Sequence, residues 1–176
     1  LTNTLSANDQ QSMEQVCQAL LQARRIMLTG KGASFLVAQD FCLKLRKLGM
    51  SAIAESDNHI QLADLAHYGA KDMLFVISES GETPEMVAIA QFAKQQKLKV
   101  ISLTGFAPNT IAKLSELNLK TMANESAARL SSILSRNAQE LVIDLLFILL
   151  TQSSVKGRKM LAASNQAVAD YRNKVR

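Results

Sequence analysis

Residues 73–85, MLFVISESGETPE, join an unbroken apolar run to a polar turn and then to the start of a helix. The run at 73–77 has no polar interruption, which is typical of a parallel strand buried on both faces. Thr83 followed by Pro84 is a favoured pair at the N-cap and the first position of a helix. This stretch therefore predicts a strand, a tight turn and a helix, and the turn, SESGET, is rich in hydrogen-bonding groups.

Short apolar runs alternate with helical patterns along the rest of the chain. Strands are predicted at 25–29, 51–54, 73–77, 98–104 and 117–122, and two helices are predicted at about 126–152 and 159–174. Gly49 is expected to end the helix after the first strand, and Asp57 to cap a helix at 57–67. This alternation predicts an α/β fold, a three-layer α-β-α sandwich around a five-stranded parallel sheet. The flavodoxin-like strand order 2-1-3-4-5 is favoured.

The bulk composition indicates one domain with an aliphatic core. Of the 176 residues, 48% are hydrophobic and only two are proline. Cys17 and Cys42 lie in apolar helical patterns, so we expect reduced core thiols and no disulfide. The longest apolar run, 141–150, contains Asp144 and is too short to span a bilayer. We expect a cytoplasmic domain covering 1–176, with its core at about 14–152, and the absence of an initial Met suggests a piece of a longer protein.

The net charge of +5 is concentrated at one end of the chain. From Val155 onward there are six basic residues and one acidic residue, Asp170, so this segment carries the whole excess of positive charge. The remaining chain is balanced in charge. A basic face that reads DNA is therefore not expected in these residues.

Two loops are predicted to meet where the winding of the sheet reverses, beyond the carboxyl ends of strands one and three. They are GKGAS at 30–34 and SESGET at 78–83, and each leads into a helix. Helix N-termini, glycines and hydroxyl groups suit phosphate oxygens. Taken singly, each loop has a purely structural alternative, since Thr83 and Ser34 are also good capping residues. Both loops at one switch point favour phosphate binding.

Two classes of phosphate ligand, dinucleotides and nucleoside triphosphates, are disfavoured because their sequence motifs are incomplete or missing. Gly30, Gly32 and Glu55 are similar to parts of a dinucleotide site, but Phe35 occupies the third glycine position. The nucleoside triphosphate motif GxxxxGK[ST] is not present in the sequence. A small phosphorylated metabolite is therefore the favoured ligand.

GKGAS followed by ISESGET resembles the SIS domain, the sugar isomerase module that binds phosphosugars. A closer resemblance, to the sugar-binding half of RpiR-type bacterial transcription regulators, rests on ESDNH at 55–59, LTGFAPN at 103–109 and LSRNAQELVIDLLF at 134–147. The resemblance implies an N-terminal helix-turn-helix domain outside this chain, through which the protein would contact DNA. It also implies a dimer or tetramer that responds to an N-acetylated hexosamine or muramic acid 6-phosphate.

The resemblance also assigns site residues. It places the phosphate on Ser78, Ser80 and Thr83. The sugar is expected to contact the following residues: Gly32, Ala33, Ser34, Glu79, His59 and Glu125. Glu79 departs from the family pattern, in which tyrosine or a small residue is frequent. For His59, a surface position at a helix start is the alternative to a sugar contact, and Arg136 is expected to be structural.

Two classes of function remain open from the sequence. A sensor domain would bind a sugar phosphate and change a subunit arrangement, without catalytic residues, metal or cofactor. An isomerase or lactyl-ether lyase would need a base beside the reacting carbon. The acidic and histidine candidates for that base are Glu79, Glu82, Glu125 and His59. Because each candidate has a binding or capping role as an alternative, the sensor is favoured.

Overall fold

The computed structural model describes residues 2–123 and 132–175 of the chain. Its strands are β1 (Ile26–Gly30), β2 (Ala52–Ala54), β3 (Met73–Ser78), β4 (Lys99–Gly105) and β5 (Leu117–Thr121). Its helices are α1 (Thr2–Ser6), α2 (Gln10–Gln22), α3 (Ala33–Lys47), α4 (Asn58–Leu65), α5 (Pro84–Gln95), α6 (Thr110–Leu114), α7 (Ile133–Ser153) and α8 (Val155–Lys174). The strands form one parallel sheet of order β2-β1-β3-β4-β5. The predicted fold class and strand order are confirmed.

The central strand is β3, and all six of its residues are buried. It pairs with β1 from Met73↔Ile26 to Ile77↔Gly30, and with β4 on its other side. Successive side chains of a strand point to opposite faces, so an uninterrupted apolar run supplies both layers of the core. Phe75 packs edge-on against Phe41 of α3, with the ring centroids 5.3 Å apart.

The helices divide into two layers around this sheet. One core cluster joins α2, α3 and α7 to one face, and the other joins α4, α5 and α6 to the opposite face. Cys17 and Cys42 are buried and free, as predicted. Burial raises the pKa of Cys17 to about 11, so this thiol stays protonated at neutral pH.

Two helices, α1 and α8, differ from the sequence predictions. The short helix α1 was not predicted, because five residues are too few to establish a helical pattern. Helix α8 begins at Val155, four residues before the predicted start, because the Ser154 hydroxyl accepts a hydrogen bond from the Gly157 N–H at 2.8 Å and caps it. The first residues of the helix predicted at 126–152 lie outside the described residues.

In the part of the chain that the structure describes, no helix is long and apolar enough to cross a membrane.

Candidate functional site

The two glycine-containing loops lie side by side at the carboxyl end of the sheet, because β1 and β3 are neighbours and Gly30 is opposite Ile77. Gly30 must lack a side chain: a Cβ there would lie 2.9 Å from the Ser34 backbone and 3.0 Å from the Ile77 carbonyl oxygen. Gly32 has a φ of 55° and occupies the N-cap of α3 without a side-chain cap. Ala33 and Ser34 are then the first residues of α3. Ser34 is not a cap, so its hydroxyl is used elsewhere.

The predicted phosphate residues cluster in the turn between β3 and α5. The Ser78 and Ser80 hydroxyls lie 3.4 and 3.5 Å from the Thr83 hydroxyl. Although Thr83 is the N-cap of α5, its side chain makes no capping hydrogen bond, and Pro84 follows at the first helical position. Three hydroxyl groups thus converge at the positive end of a twelve-residue helix, a favourable place for an anion.

The shape of this turn is fixed by Gly81 and Asn109. Gly81 has a φ of 62°, and a Cβ at this position would lie 2.0 Å from the Asn109 amide oxygen. The Gly81 carbonyl accepts the N–H of Ile111 at 3.1 Å. Glu82 also faces this neighbour, since its carboxylate accepts the Thr110 N–H at 2.7 Å. The loop after β4 therefore holds the serine turn, and Glu82 serves that contact.

Glu79 turns away from the hydroxyl cluster, toward β5 and α7. Its carboxylate accepts a hydrogen bond from Thr121 Oγ1 at 2.8 Å and another from Gln139 Nε2 at 3.3 Å. Gln139 Nε2 also donates to Ser34 Oγ at 3.2 Å. The backbone carbonyl of Glu79 accepts the N–H of Gly105, where a Cβ would approach that oxygen to 2.5 Å. Glu79 is therefore joined to Ser34 through Gln139.

A cavity of about 610 Å³ opens beside these groups, within the size range of small-molecule sites. Glu79 and Ser80 line one side of it, and the ends of β4 and β5 line another. Leu134 and Asn137 contribute from the first turns of α7. The sequence placed the site between the β1 and β3 loops, whereas this cavity lies on the β5 side of β3. Ser34 is linked to it only through the Gln139 contact.

Of the remaining predicted site residues, His59 lies apart from this cluster. His59 is exposed in the first turn of α4, where the Asp57 carboxylate caps its backbone N–H at 2.8 Å. Hydrogen bonds from the Ile60 and His59 backbone hold the pKa of Asp57 below its usual value. Glu125 lies outside the described residues. Arg136 lies 3.4 Å from Glu140 one helical turn away, in line with the predicted structural role.

The dinucleotide alternative does not fit the turn after β2. The Glu55 carboxylate accepts the backbone N–H groups of Ser56 and Asp57 at 2.7 and 2.8 Å. An acid used in this way closes its own turn and is not presented to a ribose. Within residues 2–123 and 132–175, no three acidic, His or Cys side chains are grouped as metal ligands would be.

Thr121 and Gln139 are site residues that the sequence reasoning missed. Each is 1% exposed, although both are polar. Gln139 lies on the face of α7 that carries Val142 and Ile143 into the core. A polar residue on a buried helix face was the available signal, since such groups are retained when they have a hydrogen-bonding role.

An open parallel α/β sheet with two glycine-containing loops and a hydroxyl-lined turn at its switch point is the architecture of a phosphometabolite-binding domain. A family model described as the SIS domain matches residues 19–149. The chain belongs to the SIS domain family, as the sequence motifs predicted.

Comparison with curated proteins finds helix-turn-helix regulators. The uncharacterised HTH-type transcriptional regulator YfhH of Escherichia coli K12 is 39% identical over 153 residues, which are 87% of this chain and 54% of that protein. The chain spans about half the length of the curated relatives it matches. The predicted resemblance to transcription regulators is thus confirmed, because these curated relatives are described as regulators.

Two solved structures have closely similar folds. The NanR protein of Vibrio vulnificus, complexed with ManNAc-6P, superposes with a TM-score of 0.89 at 25% identity, covering 96% of this chain and 64% of that chain. The sugar isomerase domain of an RpiR transcription factor from Sphaerobacter thermophilus gives 0.84 at 18% identity, covering 94% and 92%.

Proposed function

We propose that this chain is the phosphosugar-sensing domain of a bacterial transcription regulator, and that it binds an N-acetylated hexosamine 6-phosphate. The observation that carries the proposal is the cluster of Ser78, Ser80 and Thr83 hydroxyls at the N-terminus of α5, beside a cavity of about 610 Å³. A phosphate there accepts hydrogen bonds from the hydroxyls and from the free N–H groups of the helix. The ManNAc-6P complex of NanR, a protein of the same fold, supports this ligand class.

The sugar end of the ligand is assigned to the groups farther along the cavity. Glu79 lines the cavity and is held by Thr121, so its carboxylate is placed to accept sugar hydroxyls. Ser34, with Gly32 and Ala33 at the start of α3, is assigned to the other side of the sugar. His59 and Glu125 remain proposed sugar contacts that no described contact supports.

The hydrogen bonds made by Glu82 and Glu79 favour a sensor over an isomerase or lyase. Glu82 accepts a backbone N–H of α6, and Glu79 is bound by two neutral donors. The curated relatives are also regulators. The enzyme alternative would use Glu79 as the base, because it is the described acid that lines the cavity.

Binding without turnover is the test that separates these functions. The chain is titrated with ManNAc-6P and N-acetylglucosamine 6-phosphate by calorimetry, and each mixture is then followed by phosphorus and proton NMR. We expect saturable binding and an unchanged sugar phosphate after hours. Product formation at about 1 s⁻¹ or faster, an ordinary enzyme rate, would establish an isomerase instead.

We also infer that the domain self-associates through α3 and α7. Leu36 and Leu43 lie seven residues apart on α3 and are 53% and 58% exposed, while Ile148 of α7 is 49% exposed. The Lys44–Asp144 ion pair joins these two helices beside the leucines, so the apolar residues form one surface. A second copy of the chain would bury this surface. Light scattering should show a dimer or tetramer that Leu43→Asp converts to a monomer, and an unchanged mass would exclude this surface.

DNA binding is assigned to a segment outside this chain. The regulator relatives are about twice as long as the region they share with it, and they are described as helix-turn-helix proteins. The expected N-terminal helix-turn-helix domain and a cytoplasmic location follow from that assignment. Sugar phosphate binding in this domain would then change DNA affinity through the subunit arrangement.

A further inference from the structure

Gln139 occupies an unusual position for a polar side chain. It is 1% exposed on the face of α7 that supplies Val142 and Ile143 to the core. Its Nε2 group donates both to Glu79 and to Ser34, at 3.3 and 3.2 Å. One amide therefore bridges the loops that follow β1 and β3.

The orientation of this amide is set by Glu79. Exchanging the amide oxygen and nitrogen would place two acceptors, the amide oxygen and the Glu79 carboxylate, against each other. In the observed orientation the buried Oε1 atom has no hydrogen-bond partner among the residues that the structure describes. A buried acceptor without a partner costs free energy, and such groups in native structures are unusual enough to suggest a function. Holding Glu79 is the function that the geometry offers.

Glu79 receives its two neutral donors from different elements, Thr121 from β5 and Gln139 from α7. Two donors fix the direction of a carboxylate better than one, and preorganised groups favour one ligand geometry over another. Among the described residues, the Ser78, Ser80 and Thr83 hydroxyls form no hydrogen bond with Gln139, which donates to Ser34 and Glu79. Changes at Gln139 should therefore act on the sugar and leave the phosphate contacts in place.

We propose that Gln139 is a positioning residue that sets sugar selectivity by fixing Glu79 at the cavity and joining it to Ser34. This inference rests on the proposed phosphosugar function and adds a residue to its site. It predicts that sugars sharing a 6-phosphate but differing in the ring are discriminated through Gln139.

The test uses Gln139→Met, which keeps the side-chain length and removes the amide. Dissociation constants are measured by calorimetry for ManNAc-6P, N-acetylglucosamine 6-phosphate and inorganic phosphate. We expect the affinity ratio of the two epimers to change by about tenfold, the effect of one hydrogen bond to a charged group. Inorganic phosphate should bind within about twofold of the wild-type value.

A matched control and a second variant keep the result interpretable. Gln61→Met is the control, because Gln61 is equally buried and also has an unpartnered Oε1, yet it bonds only the Glu55 backbone. Gln139→Glu places a second carboxylate against Glu79, so sugar affinity should be low at pH 8 and recover as pH falls and one proton is shared. A merely structural residue would show no such recovery.

The outcomes separate this inference from the proposed function. An unchanged epimer ratio in Gln139→Met, or no pH-dependent recovery in Gln139→Glu, overturns the positioning role while wild-type binding stands. If the wild-type chain binds neither sugar phosphate, the proposed function itself fails.

A second observation concerns the segment that covers the outer edge of the sheet. The side-chain amide of Asn8 accepts the Lys120 N–H and donates to the Lys120 carbonyl, both at 2.8 Å, as a neighbouring strand would. Thr4, fully buried, accepts the Met122 N–H at 3.0 Å. Residues 2–8, here termed the clasp, therefore form hydrogen bonds with Lys120 and Met122, the residues on either side of Thr121.

The clasp is also in contact with the ligand cavity. Asn3 and Met122 line the cavity, and Thr121 between the clasped residues donates to Glu79. We propose that the clasp senses occupancy of the cavity, through Glu79 and β5. By linkage, a ligand that changes clasp docking must bind with a different affinity when the clasp is released. This proposal also rests on the phosphosugar function.

Release of the clasp is tested with Asn8→Leu, which removes both bonds to Lys120, beside Asn173→Leu as a control on the exposed face of α8. We expect saturating ManNAc-6P to change amide hydrogen exchange in residues 2–8 of the wild type. We also expect Asn8→Leu to change the ManNAc-6P dissociation constant by about fivefold or more, the lower end of ordinary coupling. Unchanged exchange together with an unchanged dissociation constant overturns the clasp proposal. Absence of wild-type binding would instead refute the proposed function.

Discussion

Each end of the parallel sheet holds a carboxylate, and the two carboxylates have different kinds of hydrogen-bond donor. At the amino end Asp72, 1% exposed, accepts hydrogen bonds from Arg24 and Arg25 at 2.7 to 3.2 Å and from the Gly69 N–H at 2.9 Å. The Arg25 guanidinium in turn lies 4.0 Å from the centre of the Tyr68 ring. At the carboxyl end Glu79 is held by the neutral groups of Thr121 and Gln139, beside a cavity.

This difference separates a structural end from a binding end. Two guanidinium groups bind the Asp72 carboxylate. The hydrogen bond from Arg24, together with that from Arg25, holds the pKa of this carboxyl well below its usual range. Thr121 and Gln139 are neutral donors that orient the Glu79 carboxylate beside the cavity. A carboxylate thus closes one end of the fold, and another carboxylate lines the candidate site at the other end.

The largest effect is expected from a substitution in the serine turn, at the carboxyl end of the sheet. Gly81→Ala should destabilise the chain by about 3 kcal/mol and abolish phosphate binding, because the new Cβ meets Asn109 at 2.0 Å and the φ of 62° is strained for alanine. Urea denaturation measures the free energy of unfolding. Gly69→Ala, at the amino end, is the matched control, since nothing lies within 4 Å of its Cβ. Equal effects of the two substitutions would contradict the contrast between the ends.

A smaller effect is expected from breaking the structural end. Asp72→Ala should lower the free energy of unfolding by about 2 kcal/mol, since the buried hydrogen bonds are lost while Arg24 and Arg25 can still reach water. Affinity for ManNAc-6P should stay within about twofold, because the change lies at the opposite end of the sheet. Loss of ligand affinity without loss of stability would show that Asp72 belongs to the binding site.

The smallest effect is a difference in pH dependence. The pKa of Asp72 is lowered on folding, so its stabilisation is fully present above the unfolded value of about 4 and is lost as pH falls below it. Urea titrations from pH 6 to pH 2.5 should therefore give a shallower loss of stability in Asp72→Asn than in the wild type. Identical slopes would mean that other carboxyl groups account for the acid sensitivity.

Much of the fold could be predicted from local sequence patterns. The run at 73–77 and the glycines at 30, 32 and 81 are local signals, and they correctly indicated β3 and the two loops at the switch point. The Asp57 and Gly49 caps were local signals too, and the structure has both, with Gly49 at a φ of 77°. Each of these features depends on residues within one or two turns of each other.

The details of the site depended on contacts between distant residues. Glu79 meets Thr121 and Gln139, which lie 42 and 60 positions later, so no local pattern shows where its carboxylate points. Thr83 is the N-cap of α5, as predicted, but its hydroxyl lies near those of Ser78 and Ser80 and makes no capping hydrogen bond. The cavity likewise depends on distant residues, because the end of β5 and the first turns of α7 line it.

The central claim, a phosphosugar bound at the serine turn, is tested most directly by calorimetric titration of ManNAc-6P into the wild type and the double variant Ser78→Ala, Ser80→Ala. Ser153→Ala, an exposed position on α7, is the control. We predict saturable binding to the wild type and the control, and a loss of at least about 100-fold in the double variant, as expected for two hydrogen bonds to a charged phosphate. Equal affinity of the double variant and the wild type, in a folded protein, would contradict the claim.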